Sequence, residues 1–225
     1  MNKKCQIWMA AVLAAITLPT SAQRTETKLT DGWEFRRDGL ESDKTWKAVT
    51  IPHDWAIYGP FSRKNDLQHV TVEQNGETED TWKTGRTGGL PFIGKGAYKR
   101  IIEIPDTTDC SYTLVFDGAM SNANVSITWP YGYNSFYTVI DSLIQPGKNE
   151  LIVELENKVK QSRWYPGAGL YRNVHLVKTD KIHIPTWGTY ITTPTITPEY
   201  ASVKLQTEID GAGKGKWVDV ITEIK

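Results

Sequence analysis

Hydrophobic and polar positions alternate with a period of two along most of the chain beyond residue 22. Tyr98, Arg100, Ile102 and Ile104 share one parity, and Lys99, Ile101 and Glu103 take the other. Tyr112, Leu114 and Phe116 alternate with Thr113 and Val115; Val125, Ile127 and Trp129 alternate with Ser126 and Thr128. Leu151, Val153 and Leu155 alternate with Ile152 and Glu154, with Glu150 and Glu156 at the ends. Side chains of a strand point to opposite faces in turn, so each run can bury one face and solvate the other. Turn signals separate the runs at Asp117-Gly118, Pro146-Gly147, Pro166-Gly167 and Gly211-Ala212-Gly213. Short strands punctuated in this way predict an all-β sandwich or barrel.

The pattern changes at both ends. In residues 1–22, Lys3 and Lys4 precede an uncharged apolar run from Ile7 to Leu18, and Ser21-Ala22 supplies small residues for cleavage. This is the layout of a secretory signal peptide, and the run is too short to span a ~30 Å hydrocarbon core. Near residues 180–200, Pro185, Pro194 and Pro198 flank or interrupt a Thr-rich stretch, Thr189 to Thr197, which suits an extended linker or an edge segment. Beyond it, Val203, Leu205, Thr207 and Ile209 predict one strand and Val218, Val220, Thr222 and Ile224 another, with a hairpin loop over Gly211–Lys216. Two strands bury too little surface to stand alone. Residues 186–225 therefore read as the opening of a second β-domain.

Composition narrows the functional classes. The 225 residues carry 26 basic and 26 acidic side chains, so no basic surplus favours nucleic acid or an anionic membrane. Nine Trp and ten Tyr argue against wholesale disorder. Cleavage of the signal would remove Cys5 and leave Cys110 without an intrachain partner, an inert thiol at a strand entry.

Most candidate chemistry motifs fail in context. Gly89 to Lys95 matches the start of a phosphate-binding loop, but Gly96 stands where Ser or Thr would hold magnesium, and a strand pattern follows where a helix should begin. His53 and Asp54 in Ile51-Pro52-His53-Asp54-Trp55 suggest acid–base or metal chemistry. The four histidines, at 53, 69, 175 and 183, lack metal-ligand spacing, so structural roles are expected. Asn124-Val125-Ser126 has the form of a glycosylation sequon. The aromatic residues say more. Trp and Tyr present an apolar face with a polar handle, which matches a sugar's C–H face and its ring of hydroxyls. Trp33 and Trp46 are expected in the core. Tyr131, Tyr133, Phe136, Tyr137 and Tyr165 cluster near turns.

Seven segments in order carry a family resemblance. They are Asp31-Gly32-Trp33-Glu34-Phe35, Ile51-Pro52-His53-Asp54-Trp55, Gly96-Ala97-Tyr98-Lys99-Arg100, Phe116-Asp117-Gly118-Ala119-Met120-Ser121-Asn122-Ala123, Tyr131-Gly132-Tyr133-Asn134-Ser135-Phe136, Pro146-Gly147-Lys148-Asn149-Glu150-Leu151, and Ser162 through Val174. Together they resemble the N-terminal sugar-binding domain of glycoside hydrolase family 2, the β-galactosidase and β-glucuronidase family. Two departures stand out. Ala97 occupies a place where relatives usually carry Trp, and the hairpin expected after Val125–Ile127 is shortened, Thr128-Trp129-Pro130 running straight into Tyr131.

The resemblance implies a jelly-roll, galactose-binding-like β-sandwich over residues 24–180, followed by an incomplete immunoglobulin-like β-domain over 186–225. It implies a non-catalytic, sugar-binding N-terminal portion of an exported β-galactosidase-like hydrolase, secreted or periplasmic. In such enzymes two glutamates of a (β/α)₈ barrel cleave the glycosidic bond by the retaining scheme. A barrel needs at least ~200 residues, and the two β-segments occupy this chain. No catalytic residue, metal site or cofactor is therefore expected here, and Glu154 and Glu156 read as solvated strand positions. The expected partners are a β-glycoside and a catalytic barrel, with no nucleic acid and no membrane after signal cleavage. Arg163, Trp164 and Tyr165 offer a donor fork and two aromatic faces, suited to a sugar or to a facing domain. With Tyr133 they are the candidate carbohydrate-binding residues. Two alternatives stay open: a freestanding carbohydrate-binding module using Trp164, Tyr165 and Tyr133 as a stacking platform, or a nonfunctional gene remnant.

Overall fold

The computed structural model describes residues 22–62, 64–65, 67–74, 76–84, 92, 94–158, 167–215 and 217–223. Its strands are β1 (Arg24–Lys28), β2 (Trp33–Arg37), β3 (Lys47–Val49), β4 (Leu67–Gln74), β5 (Glu77–Thr84), β6 (Lys95–Ile104) and β7 (Cys110–Phe116). They continue with β8 (Ala123–Asn124), β9 (Thr128–Trp129), β10 (Phe136–Val139), β11 (Gly147–Glu156), β12 (Val174–Asp180), β13 (Thr189–Ile196) and β14 (Ala201–Thr207). Two short 3₁₀ turns, Glu41–Asp43 and Trp55–Tyr58, are the helical elements among the described residues.

A four-stranded sheet, ordered β1-β12-β7-β10, and a six-stranded sheet, ordered β3-β2-β6-β11-β8-β9, enclose one hydrophobic core. The chain is an all-β sandwich, as the alternation predicts. β6 and β11 form its longest ladder, from Ile104 opposite Gly147 to Lys95 opposite Glu156. Tyr98, Ile102 and Ile104 are buried while Ile101 points out; Leu151, Val153 and Leu155 are buried while Ile152 points out. Phe116 stacks on Phe136, its cross-strand neighbour in the four-stranded sheet, at 4.7 Å, and Trp129 of the other sheet stacks on Phe136 across the core at 5.5 Å. The Gly-rich stretch runs into the strand β6, not into a helix, which removes the architecture a phosphate loop requires.

The structure corrects three local expectations and decides between two readings of a fourth segment. Val125 to Trp129 is not one strand: β8 turns back on β9 within the run, pairing Ala123 with Trp129, and Val125 N–H donates to Ile127 O at 3.1 Å. The shortened hairpin is thus closed inside the segment read as its first strand. Trp46 lies outside the core, only partly buried, between the Arg36 guanidinium at 4.9 Å and the Lys99 ammonium at 4.7 Å from its ring. Of the two readings of the Thr-rich stretch, the edge segment is the one found: it is strand β13, antiparallel to β14, and Pro194 falls in the register shift between Thr192 and Thr195, where a missing N–H is tolerated. Residues 217–223 form no strand; Asp210 instead bridges back to His183 through paired backbone hydrogen bonds of 2.9 and 3.1 Å.

Among the described residues β13 and β14 pair only with each other, and so do β4 and β5. Trp187 joins the segment before β13 to the sandwich. Its ring meets Tyr137 edge-on at 5.2 Å, and its φ of 60° is unusual for a bulky residue. No helix among the described residues is long and apolar enough to cross a membrane. The signal-like residues 1–21 lie outside the described residues.

Candidate functional site

Four of the segments singled out in the sequence meet at one end of the sandwich. His53 N–H donates to Leu170 O at 2.8 Å and Trp55 N–H to Ala168 O at 3.1 Å, so residues 53–55 run hydrogen-bonded beside residues 168–170. Met120 and Gly169 exchange both backbone hydrogen bonds, at 2.9 and 2.7 Å, which brings in the Gly118–Ala123 segment. Tyr171 Oη donates to Gly132 O at 2.9 Å and so clasps the Tyr131–Tyr133 turn. Asn157, following β11, donates from Nδ2 to Gly167 O at 3.2 Å and accepts from Ser121 Oγ at 3.1 Å. Irregular backbone buried in this way needs such partners in place of a ladder.

Gly169 is required at the centre of this junction. Its φ is +108°, and a Cβ there would lie 2.3 Å from Tyr98 Oη and 2.7 Å from His53 O. The close approach seats Tyr98, which is fully buried, with its hydroxyl 2.7 Å from His53 Nδ1. Burial pushes the Tyr98 phenol well above its ordinary pKa. His53 moves the other way: burial, and then the positive charge of Arg37, lowers it to about 4, so the imidazole is neutral at physiological pH. Phe35 packs against both rings, 4.9 Å from His53 and 4.7 Å from Tyr98.

The turn Trp55–Tyr58 is held from both ends. Asp54 Oδ1 accepts the Ala56 N–H at 3.0 Å and the Ala168 N–H at 3.1 Å, capping the turn and tying it to the distant segment. Arg37, buried on β2, donates from Nη1 to Trp55 O at 3.3 Å and to Gly59 O at 2.6 Å. Its Nε and Nη2 grip Asp43 Oδ2, while Lys47 Nζ reaches Asp43 Oδ1 at 2.6 Å. The Lys47 hydrogen bond, with help from Arg37, holds the Asp43 carboxyl below its ordinary range despite its burial. From this fixed turn Ile57 and Tyr58 project into solvent, 55% and 72% exposed.

Of the candidate carbohydrate-binding residues, Tyr133 is at this end of the fold, 37% exposed and 5.6 Å from Tyr131 ring to ring. Arg163, Trp164 and Tyr165 lie outside the described residues. Tyr131 belongs to the aromatic cluster that the sequence singles out near turns, whereas the Arg37–Asp43 pair gives no sequence signal of a site. Tyr58 is signalled only by its position three residues after the Ile51–Trp55 motif. His175 and His183 play structural parts. His175 sits between Glu26 at 2.9 Å and Asp117 at 3.4 Å, and His183 Nδ1 is 3.2 Å from Lys181 O. Among the described residues no group of three or more His, Cys, Asp or Glu could hold a metal ion. Two carboxyls among the described residues are held below their ordinary pKa, Asp43 as above and Asp106 through hydrogen bonds from Thr108.

Over 194 residues, 79% of its length, the chain is 34% identical to the β-galactosidase BoGH2A of Bacteroides ovatus. Over 85% of its length it is 26% identical to a β-glucuronidase of Bacteroides fragilis. Among solved structures it superposes on a glycosyl hydrolase family 2 member from Bacteroides cellulosilyticus with a TM-score of 0.65 at 27% identity, covering 83% of this chain and 24% of that one. The chain is homologous to part of glycoside hydrolase family 2. A β-glycosidase from Bacteroides vulgatus gives a TM-score of 0.66 at 26% identity, over 84% of this chain and 25% of that one. The chain spans 21–27% of the length of these two curated relatives. No family model matches it.

Proposed function

We propose that this chain is a non-catalytic, saccharide-binding N-terminal portion of an exported family 2 glycoside hydrolase, shaping part of a sugar site and contacting a catalytic barrel. The observation that carries the reading is the junction at Gly169. There the Ile51–Trp55, Gly118–Ala123, Tyr131–Tyr133 and Gly167–Tyr171 segments are bound into one preorganised surface, at one end of a homologous sandwich. Rigid loops on a β-scaffold are where binding groups concentrate, and this end exposes Tyr58, Tyr131 and Tyr133 while holding its buried polar groups in fixed bonds. The cleaving carboxylates belong, on this reading, to polypeptide outside these 225 residues. The relatives' names direct attention to galactosides and glucuronides as the substrate classes. Export rests on the signal-like first 22 residues.

Two measurements on the purified chain test this. Calorimetric titration with methyl β-galactoside, methyl β-glucuronide and longer β-galactosides should give saturable binding, and nitrophenyl β-glycosides should not be turned over. Turnover abolished by a point change within the chain would overturn the non-catalytic reading. Failure to bind any saccharide would overturn the sugar-binding one.

A further inference from the structure

Beside the Gly169 junction, an open groove of about 590 Å³ runs between the edge formed by Trp33 and β3 and the Trp55–Tyr58 turn. Its volume is within the range of small-molecule sites. Trp33, Val49, Thr50, Pro52, His53 and Tyr58 make up most of its lining, and none of its lining residues is an Asp, Glu, Lys or Arg. The Tyr58 ring lies nearly parallel to the His53 ring, 22° and 6.0 Å apart, so that one exposed aromatic face is backed by a second flat ring. The turn beneath it is fixed by Asp54 and by the Arg37 clamp, which lowers the ordering cost of engaging a ligand.

We propose that this groove binds a neutral hexopyranose unit, with the Tyr58 ring as stacking platform and Thr50 and His53 as partners for sugar hydroxyls. The ring supplies the apolar face and polar edge that a pyranose requires. His53 Nδ1 is taken up by Tyr98, which leaves Nε2 for a ligand. When the Tyr98 hydroxyl donates to His53 O at 3.3 Å, Nδ1–H donates to Tyr98 and Nε2 is an acceptor for a sugar O–H. A groove without a cationic lining has nothing to offset desolvation of a carboxylate, so it selects against uronic acids and phosphorylated sugars. The inference rests on the saccharide-binding reading above but assigns the contact to the Tyr58 wall and not to the Tyr133 turn.

The test is calorimetric titration of the whole chain with methyl β-galactoside, methyl β-glucoside and methyl β-glucuronide, repeated for Tyr58→Ala, Tyr58→Phe and Tyr133→Ala. Unchanged thermal unfolding shows that each variant is folded, as expected for a largely exposed ring. The groove assignment predicts binding of a neutral glycoside that weakens about tenfold or more in Tyr58→Ala. Tyr58→Phe, which keeps the ring face and loses its polar edge, should weaken binding less than Tyr58→Ala; Tyr133→Ala should weaken it least of the three, and the glucuronide should bind at least tenfold more weakly. Neutral-sugar binding kept in Tyr58→Ala and lost in Tyr133→Ala would overturn the groove and leave the saccharide-binding reading intact. Equal binding of the glucuronide would overturn the selectivity for neutral sugars. Absence of binding to all three sugars would overturn both readings.

Discussion

Asp54 and Ala168 are 114 residues apart in sequence, yet Asp54 Oδ1 accepts the Ala168 N–H at 3.1 Å while also capping the Trp55–Tyr58 turn at Ala56 N. One carboxylate therefore serves a local turn and a long-range tie. Asp54→Ala leaves the Ala56 and Ala168 N–H groups without this acceptor and should cost about 1–3 kcal/mol. Asp54→Asn keeps a carbonyl oxygen in place and should cost less. Urea unfolding of the two variants, followed by Trp fluorescence, checks the order.

Arg37 is 7% exposed and its charge is balanced by Asp43. Removing one partner of a buried pair strands the other, so Asp43→Ala should destabilise by about 3–5 kcal/mol. The Asp43 carboxyl is lowered from its ordinary 3.8. The stability it contributes is thus present above that value and is lost as pH falls through the lower, folded value. Unfolding free energies measured from pH 6 downwards should decline in the acid range, and the decline should be shallower in Asp43→Asn, compared with its own value at pH 6.

His53 contributes a second pH dependence of the same sign, in a different window. Its pKa is lowered from 6.5 to about 4 by burial and by Arg37. Between those values the unfolded chain binds the extra proton and the folded one does not. Stability is therefore highest above pH 6.5, falls as pH drops towards 4, and flattens below that. His53→Gln should remove this part of the slope in thermal unfolding. The His53 ring resonances in an NMR titration should hold their neutral position down to about pH 5.

Two glycines with similar backbone angles should respond differently to alanine. Gly169 has φ +108° and places any Cβ 2.3 Å from Tyr98 Oη, whereas Gly147 has φ +98° and nothing within 4 Å. Gly147→Ala carries backbone strain alone, about 1 kcal/mol. Gly169→Ala adds a clash with a buried ring and a backbone carbonyl, and should cost about 3 kcal/mol or more. Thermal unfolding of the pair separates conformational strain from crowding.

Amide exchange should divide the molecule by ladder. The β6–β11 pair is flanked by β2 and β8 and packs on the core, whereas among the described residues β13 and β14 pair only with each other and leave Tyr190, Ile191 and Ile196 exposed. Amides of Ile102 and Val153 should exchange by global unfolding, and those of Ile191 and Leu205 at least about a hundredfold faster. Equal protection of the two hairpins would contradict this division.

The local code of the chain reached the sandwich but not its end. Period-two alternation put Tyr98, Ile102, Ile104, Leu151, Val153 and Leu155 on buried faces, because a strand's side chains alternate whatever its partners are. The same code misread Val125–Trp129 and Val218–Thr222. Alternation tells which way a residue would point in a strand, but not whether a neighbouring strand is present to complete the ladder. In the first case the chain turned onto itself at β8–β9; in the second, among the described residues, no partner strand exists. Trp46 was misplaced for a related reason: its ring found two cations, Arg36 and Lys99, on the outer face of the sheet.

What the sequence determined by itself was the all-β class, the buried faces of β6 and β11 and a likeness to glycoside hydrolase family 2, all written in short-range order and motif identity. What only the tertiary structure decided was the site. His53 is neutral because β2 and β6 bury it beside Arg37 and Tyr98, and Tyr58 is a fixed exposed ring because Arg37, Asp43 and Asp54 hold the turn beneath it. Those effects depend on distance through space and on exclusion of water, and neither quantity is encoded at any single position of the chain.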